Sequence, residues 1–163
     1  MLLNEIFDTQ NKVTWATDGS NHEGSFEVDG EQYFIDAEEY TIQLASGIKS
    51  AMDIGFRKGK SSELTGDAKP GRVIGSVLAG LKEKVSELHP DIVMFGVLNK
   101  NGEVQKRKVL YQRIASLLSK TTNYHHLSKW YTFGSGEYAF MANFIPSEAD
   151  EELIKKLATY TKL

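Results

Sequence analysis

The chain contains no cysteine, and that absence removes disulfide staples, thiolate catalysis and cysteine-ligated zinc together. Positive charge is not in excess either. The formal net charge of -3 supplies no overall field to draw in nucleic acid or an anionic bilayer. No run approaches the roughly 18 consecutive apolar residues of a membrane span, and the opening MLLNEIFDTQ lacks the basic and apolar blocks of a secretory signal. HExxH spacing, internal repeats and low-complexity tracts are also missing. A soluble cytoplasmic protein is therefore expected, with no membrane contact and with charge arguing against a nucleic-acid partner.

What is present is an ordinary globular composition: 163 residues, 40% hydrophobic and 25% charged, enough for one domain with a sizeable core. One helical turn is expected at Leu2–Phe7, and TDGSNHEG reads as a loop, so residues 1–24 form a peripheral segment in this reading. SFEVDGEQYFIDAEEY places Phe26 and Val28, then Tyr33 and Ile35, about an Asp29-Gly30 turn, which predicts a hairpin with strands over 25–29 and 32–37. Tyr40, Ile42 and Leu44, and then Met52, Ile54 and Phe56, alternate as half-buried strands do; the first of these also admits a short helix. From Gly55 to Gly71 no hydrophobic period survives, which reads as a mildly basic loop.

Beyond it, Val73, Val77, Leu81, Val85 and Leu88 recur at helical spacing, with Lys82, Glu83, Lys84 and Glu87 elsewhere around the cylinder. Pro90 stops that segment, and the nearly continuous apolar run Ile92–Leu98 is that of a central strand covered on both faces. Leu110, Ile114, Leu117 and Leu118 mark a second helix over 106–120. HHLSKWYTF and EYAFMANFI form a terminal hairpin, and Ser147 caps a last helix whose first turns are acidic. The expected fold is a single α/β domain of the α+β kind, with a central, mostly antiparallel sheet flanked by helices.

Arg72-Val-Ile-Gly75-Ser-Val77, the run DIVMFGVLN, and Lys108-Val-Leu110-Tyr111 occur in an order that resembles the GNAT N-acetyltransferase family. There a strand ends in a phosphate-cradling loop of the form Gln/Arg-x-x-Gly-x-Gly/Ala, followed by a helix, a central strand and a helix that often carries a leucine-tyrosine pair. The resemblance covers roughly residues 40 to 160 and departs at Val77, where the family has Gly or Ala; a branched Cβ there hinders close approach of a pyrophosphate to the backbone. The chain also resembles small acetyltransferase-like proteins of tailed bacteriophages. The resemblance implies acetyl-CoA as cofactor, held by Arg72, Val73, Ile74, Gly75 and Ser76, and Tyr111 as the general acid protonating the departing thiolate. Asp53 or Glu39 is the candidate base, acting through water. The expected function is that of an acetyl-CoA-dependent N-acyltransferase-like protein, active or retaining only the fold, in the host cytoplasm if phage-encoded. The alternative is a non-enzymatic phage binding or virion-assembly protein.

Each residue also has a plainer reading. The helix start offers unpaired amides and about half a positive charge to an anion, favoured by Lys69 and Arg72 and opposed by Asp67; otherwise it is a loop-to-helix junction. Tyr111 is otherwise an aromatic at the edge of a helix core, and Asp53 a solvent-facing strand residue. His125 and His126, adjacent on a strand, point to opposite faces, and His22 and His89 sit in separate loops, so no metal is expected. Lys100, Lys106, Arg107 and Lys108 read as a solvated helix start. The aromatics from Tyr124 to Phe144 form a core strand, or else a face on which Trp130 and Tyr131 bind a host or viral protein or a second copy of the chain.

Overall fold

The computed structural model describes residues 12–59, 70–98, 104–133 and 136–161. Among them the elements run β1 (Thr14–Asp18), β2 (Asn21–Val28), β3 (Glu31–Leu44), β4 (Gly47–Lys58), α1 (Pro70–Leu88), β5 (Ile92–Leu98), α2 (Val104–Thr121), β6 (His125–Phe133), β7 (Gly136–Ala142) and α3 (Glu148–Thr161). The strands form a mixed seven-stranded sheet in the order β1-β2-β3-β4-β5-β7-β6, and the fold is α+β. β4 and β5 are joined through α1 and begin side by side, the Asp91 amide donating to the Ser50 carbonyl at 3.0 Å. They therefore run parallel, as a helical crossover requires. The chain divides into two compact units, Met1–Glu38 with Ile54–His89, and Glu39–Asp53 with Pro90–Leu163.

In the first unit, Asp29 and Gly30 take φ of 52° and 83°, the paired left-handed conformations of a type I′ turn. β2 and β3 zip up from it in the register Val28↔Glu31 to Asn21↔Glu38. TDGSNHEG is not a loop but a second hairpin, turning only at Gly19 and Ser20, with Asp18 opposite Asn21. Its strand pattern is hidden because the inward positions are His22, bonded to Thr17 Oγ1 at 2.9 Å, and Gly24. A Cβ at Gly24 would stand 2.7 Å from Val13 Cγ1, so close packing reserves the site for glycine. The sheet thus already includes residues 14–24; the turn expected at Leu2–Phe7 lies outside the described residues.

The rings of Phe26, Tyr33 and Phe56 stack at 5.4 and 5.9 Å between centroids. α1 presents Val73, Ile74, Val77, Leu78, Leu81 and Val85, all buried, each side chain contributing about 1.5–3 kcal/mol on full burial. Lys84, expected in solvent, is instead 3% exposed. Its Nζ reaches Glu87 Oε2 at 3.0 Å and lies 4.9 Å from the Trp15 ring centroid, so the charge keeps a partner while the stem packs. β4 continues to Lys58, which shortens the loop expected over 55–71; residues 60–69 lie outside the described residues.

In the second unit, the buried positions of β3 have changed from odd-numbered (Tyr33, Ile35, Ala37) to even-numbered (Ile42, Leu44), and Tyr40–Leu44 is strand rather than helix. Ile42, Leu44, Ala51, Ile92, Met94, Tyr138, Phe140, Ala142 and Ile154 form one core cluster. α2 buries Tyr111, Ile114, Ala115 and Leu118, while Leu110 and Leu117 are only half-buried; its apolar stripe is rotated from the expected one. At α3, Ser147 Oγ accepts the Asp150 amide at 3.1 Å and Asp150 Oδ2 accepts the Ser147 amide at 3.2 Å, a reciprocal cap. Asp150 Oδ1 also accepts the Ser46 amide at 3.0 Å. Burial pushes this carboxyl up, but the amides and hydroxyls of Ser46 and Ser147 hold it below its ordinary value of 3.8.

Two outcomes follow for stability. A Cβ at Gly80 would meet Val13 Cγ2 at 2.8 Å, and a β-branched side chain yields little. Gly80→Ala should therefore destabilise by about 1–3 kcal/mol in spite of the roughly 1 kcal/mol helix preference for Ala, and Val13→Ala in the same chain should recover part of the loss in denaturant melts. Asp150→Ala should cost about 1–2 kcal/mol at neutral pH. Because the folded-state pKa of Asp150 lies below 3.8, its contribution is full above that value and disappears as pH falls through the folded-state value. The variant and parent melting curves should converge in acid; a gap that persists unchanged at pH 2 would contradict the assignment.

Candidate functional site

α1 opens at Pro70, a residue suited to the first helical position because its fixed φ is helical and the amide it lacks would have had no acceptor. The first-turn amides that precede the first intrahelical hydrogen bond are then those of Gly71 and Arg72, and the Val73 amide is the first to reach back along the helix. Ile74, Gly75 and Ser76 lie one turn further in, buried, and Ser76 Oγ donates to the Arg72 carbonyl at 2.8 Å. Of the five residues expected to hold a cofactor, Arg72 and Val73 are thus at the open end of α1 and three are in its body. α1 has no acidic residue in its first turn, whereas α3 has Glu148, Asp150 and Glu151; the positive end of the α1 dipole has no carboxylate of its own helix beside it. The half-buried Arg72 guanidinium lies 3.3 Å from Asp29 Oδ1 in the β2–β3 turn. Lys69 and Asp67 lie outside the described residues.

The two catalytic candidates belong to the second unit, and the sheet register separates them. On β5 and β7, Ile92 faces Ala142, Met94 faces Phe140 and Gly96 faces Tyr138, while Val93 and Phe95 pair with Met141 and Ala139. Paired residues share a face and neighbours alternate. Tyr111 of α2, 1% exposed, packs its ring on Phe95 at 5.6 Å between centroids. It sits in the core of that layer, not at an edge. Asp53 lies two residues beyond Ala51, which belongs to the cluster of Ile92, Met94 and Tyr138, and so takes the opposite face. Far from facing solvent, Asp53 is 6% exposed. Tyr111 and Asp53 therefore do not converge. The Asp53 charge acts on Tyr138, whose phenol is pushed up first by burial and then by that charge. The alternative base, Glu39, is half-buried on β3.

Tyr124 is a second buried phenol, donating to the Pro90 carbonyl and pushed up to about 12 by burial and by the Asp91 charge. His125 is exposed and His126 half-buried on adjacent strand positions, the latter lowered by burial, and among the described residues no three His, Asp or Glu side chains gather as a metal site. Trp130 and Tyr131 lie on β6, the last strand in the sheet order, near a register irregularity between Leu127 and Tyr131. Among the described residues no helix is long and apolar enough to cross a membrane. No protein-family model matches the chain, and no curated protein or solved structure does.

Proposed function

We propose that the chain is an acetyl-CoA-dependent N-acyltransferase of the GNAT kind. The observation that carries this reading is the succession β4, α1, β5, α2 within the mixed sheet, with β4 and β5 parallel neighbours and Leu110-Tyr111 on α2. That is the order of strand, helix, central strand and helix on which the sequence resemblance rests. The start of α1, with no acidic residue in its first turn, the positive end of a helix dipole and Arg72 beside it, suits the phosphates of the cofactor. Val77 departs from the family pattern, but it is buried in the body of α1, a full turn past the amides concerned.

Acetyl-CoA at a hundredfold excess over its Kd should stabilise the chain by about 2.7 kcal/mol, which raises Tm by roughly 5–10 °C in a protein of this size. Arg72→Ala removes a surface ion pair worth less than about 1 kcal/mol, so the variant should melt close to the parent without ligand and show a smaller shift with it. Gly75→Pro is unsuitable, because inside a helix it costs about 3 kcal/mol on its own. No shift at millimolar acetyl-CoA would overturn the proposal. The second reading, a non-enzymatic phage protein binding a host or viral partner or a second copy, is supported by the place of β6 at the end of the sheet order, since an edge strand can accept another strand.

A further inference from the structure

We propose that the open edge of β1 pairs antiparallel with the same edge of a second copy of the chain, with Trp15 opposite Trp15 of that copy. The proposal is independent of the acyltransferase reading, and every residue it uses to build the contact lies in the first unit. Among the described residues β1 stands at one end of the sheet order and β6 at the other. The register of β6 is irregular between Leu127 and Tyr131, the kind of break that discourages further pairing. That of β1 runs evenly from Thr14↔Ser25 to Asp18↔Asn21. Val13-Thr-Trp-Ala-Thr17 also carries no proline and no charge, so none of the usual devices blunts this edge.

The hairpin dictates which backbone groups face outward. Gly19, at φ 61°, opens the two-residue loop between Asp18 and Asn21, and the pair flanking such a loop is hydrogen-bonded. Hydrogen-bonded and non-bonded pairs then alternate along the ladder. Asp18, Ala16 and Thr14 therefore bond to β2, while Thr17, Trp15 and Val13 turn their N–H and C=O groups to the open edge. Opposed residues of an antiparallel pair share a face, so a two-fold axis through the edge must set one residue against its own copy. Centred on Trp15, the register sets Val13 against Thr17 and lets every outward group bond. Centred on Ala16, it would set Val13 against the turn residue Gly19. The Trp15 register alone also places exposed Lys12 opposite exposed Asp18 of the second copy, at both ends of the contact. The indole does not obstruct this, because it lies over Gly24 of its own β2, with ring atoms 3.1 Å from where a Cβ would stand. A Cβ at Gly80 would meet both Val13, at 2.8 Å, and Ile35, at 3.3 Å, so α1 runs above β2. The two copies of β2 would lie three strand spacings apart, about 14 Å, which clears the roughly 8–10 Å between helices in contact.

Sedimentation of the full chain over a concentration series tests the pairing, alongside Lys12→Glu, Asp18→Lys and an equimolar mixture of those two variants. Lys12 and Asp18 stand about 20 Å apart along one extended strand, so neither can compensate the other within a chain. The unmodified chain should become dimeric as its concentration rises. Each variant alone sets like charges together at both ends of the contact and should raise the dimer Kd roughly tenfold or more. In the mixture each variant supplies the charge that the other lacks, so a heterodimer should form about as readily as the parent dimer. Hydrogen exchange on the unmodified chain gives a second reading that needs no variant to fold: raising the concentration should slow the amides of Trp15 and Thr17 and leave those of Ala16 and Asp18 unchanged. An unmodified chain that stays monomeric at millimolar concentration overturns the proposal, and the edge is then open to a strand of another protein. A dimer indifferent to both charge changes, a mixture that does not recombine, or a dimer with unaltered exchange at Trp15 and Thr17 overturns it as well.

Discussion

The Asp91 carboxylate accepts the amide and hydroxyl of Ser50 at 2.9 and 3.2 Å and the side-chain amide of Asn143 at 3.3 Å, while the Asn143 backbone amide donates to the Asp91 carbonyl at 3.0 Å. One residue thereby ties the start of β4, the start of β5 and the end of β7. Burial alone would push this carboxyl up, yet the Ser50 and Asn143 donors and the nearby Lys49 hold it below the ordinary 3.8, so it stays ionised where its bonds need it. The register it fixes matters beyond the corner. Side chains alternate with a period of two, and a slip of one residue would send every side chain of β5 to the other layer. Met94 would join the layer of Tyr111, and Phe95 would leave it for the layer of Ile154.

The first unit solves a different packing problem. Val13 presses one methyl toward Gly24 and another toward Gly80, so two elements far apart in sequence approach through the same side chain, and both give up a Cβ to do so. Glycine in a strand or helix interior costs about 0.5–1 kcal/mol relative to alanine. Close packing of a β-branched residue on both sides offsets that through dispersion contacts that a looser fit would forfeit. The arrangement also brings Trp15, near Gly24, against the buried stem of Lys84. A lysine inside this unit is tolerable because its ammonium still reaches Glu87.

Legibility in the sequence followed the reach of the forces involved. Asp29-Gly30 announces its hairpin because the turn needs two positive φ angles and few residue pairs accept them. α1 and β5 announce themselves because one side of the helix and nearly all of the strand are apolar. β1–β2 did not, since its inward positions at 22 and 24 are a histidine bonded across the hairpin to Thr17 and a glycine pressed by Val13, which leave no apolar alternation to read. The sites were less legible than the elements. Tyr111 followed from its place in a motif, but its partner is Phe95, and that depends on which face of β5 meets α2. The action of the Asp53 charge on Tyr138 joins residues 85 positions apart by the numbering, through a register that no local pattern encodes.

Three carboxylates of the second unit, Asp91, Asp150 and Asp53, sit in different backbone settings. Asp150 sits at a turn and a helix start, and Asp91 at a strand entrance; both receive backbone amides that no regular element would otherwise satisfy, and both are held low. Their donors explain why both stay ionised. Asp53 lies within β4, where the backbone amides belong to the sheet ladder rather than to a turn or a helix end, and its charge acts on the phenol of Tyr138. Burying a charge at such a place costs stability that an apolar side chain of similar volume would not.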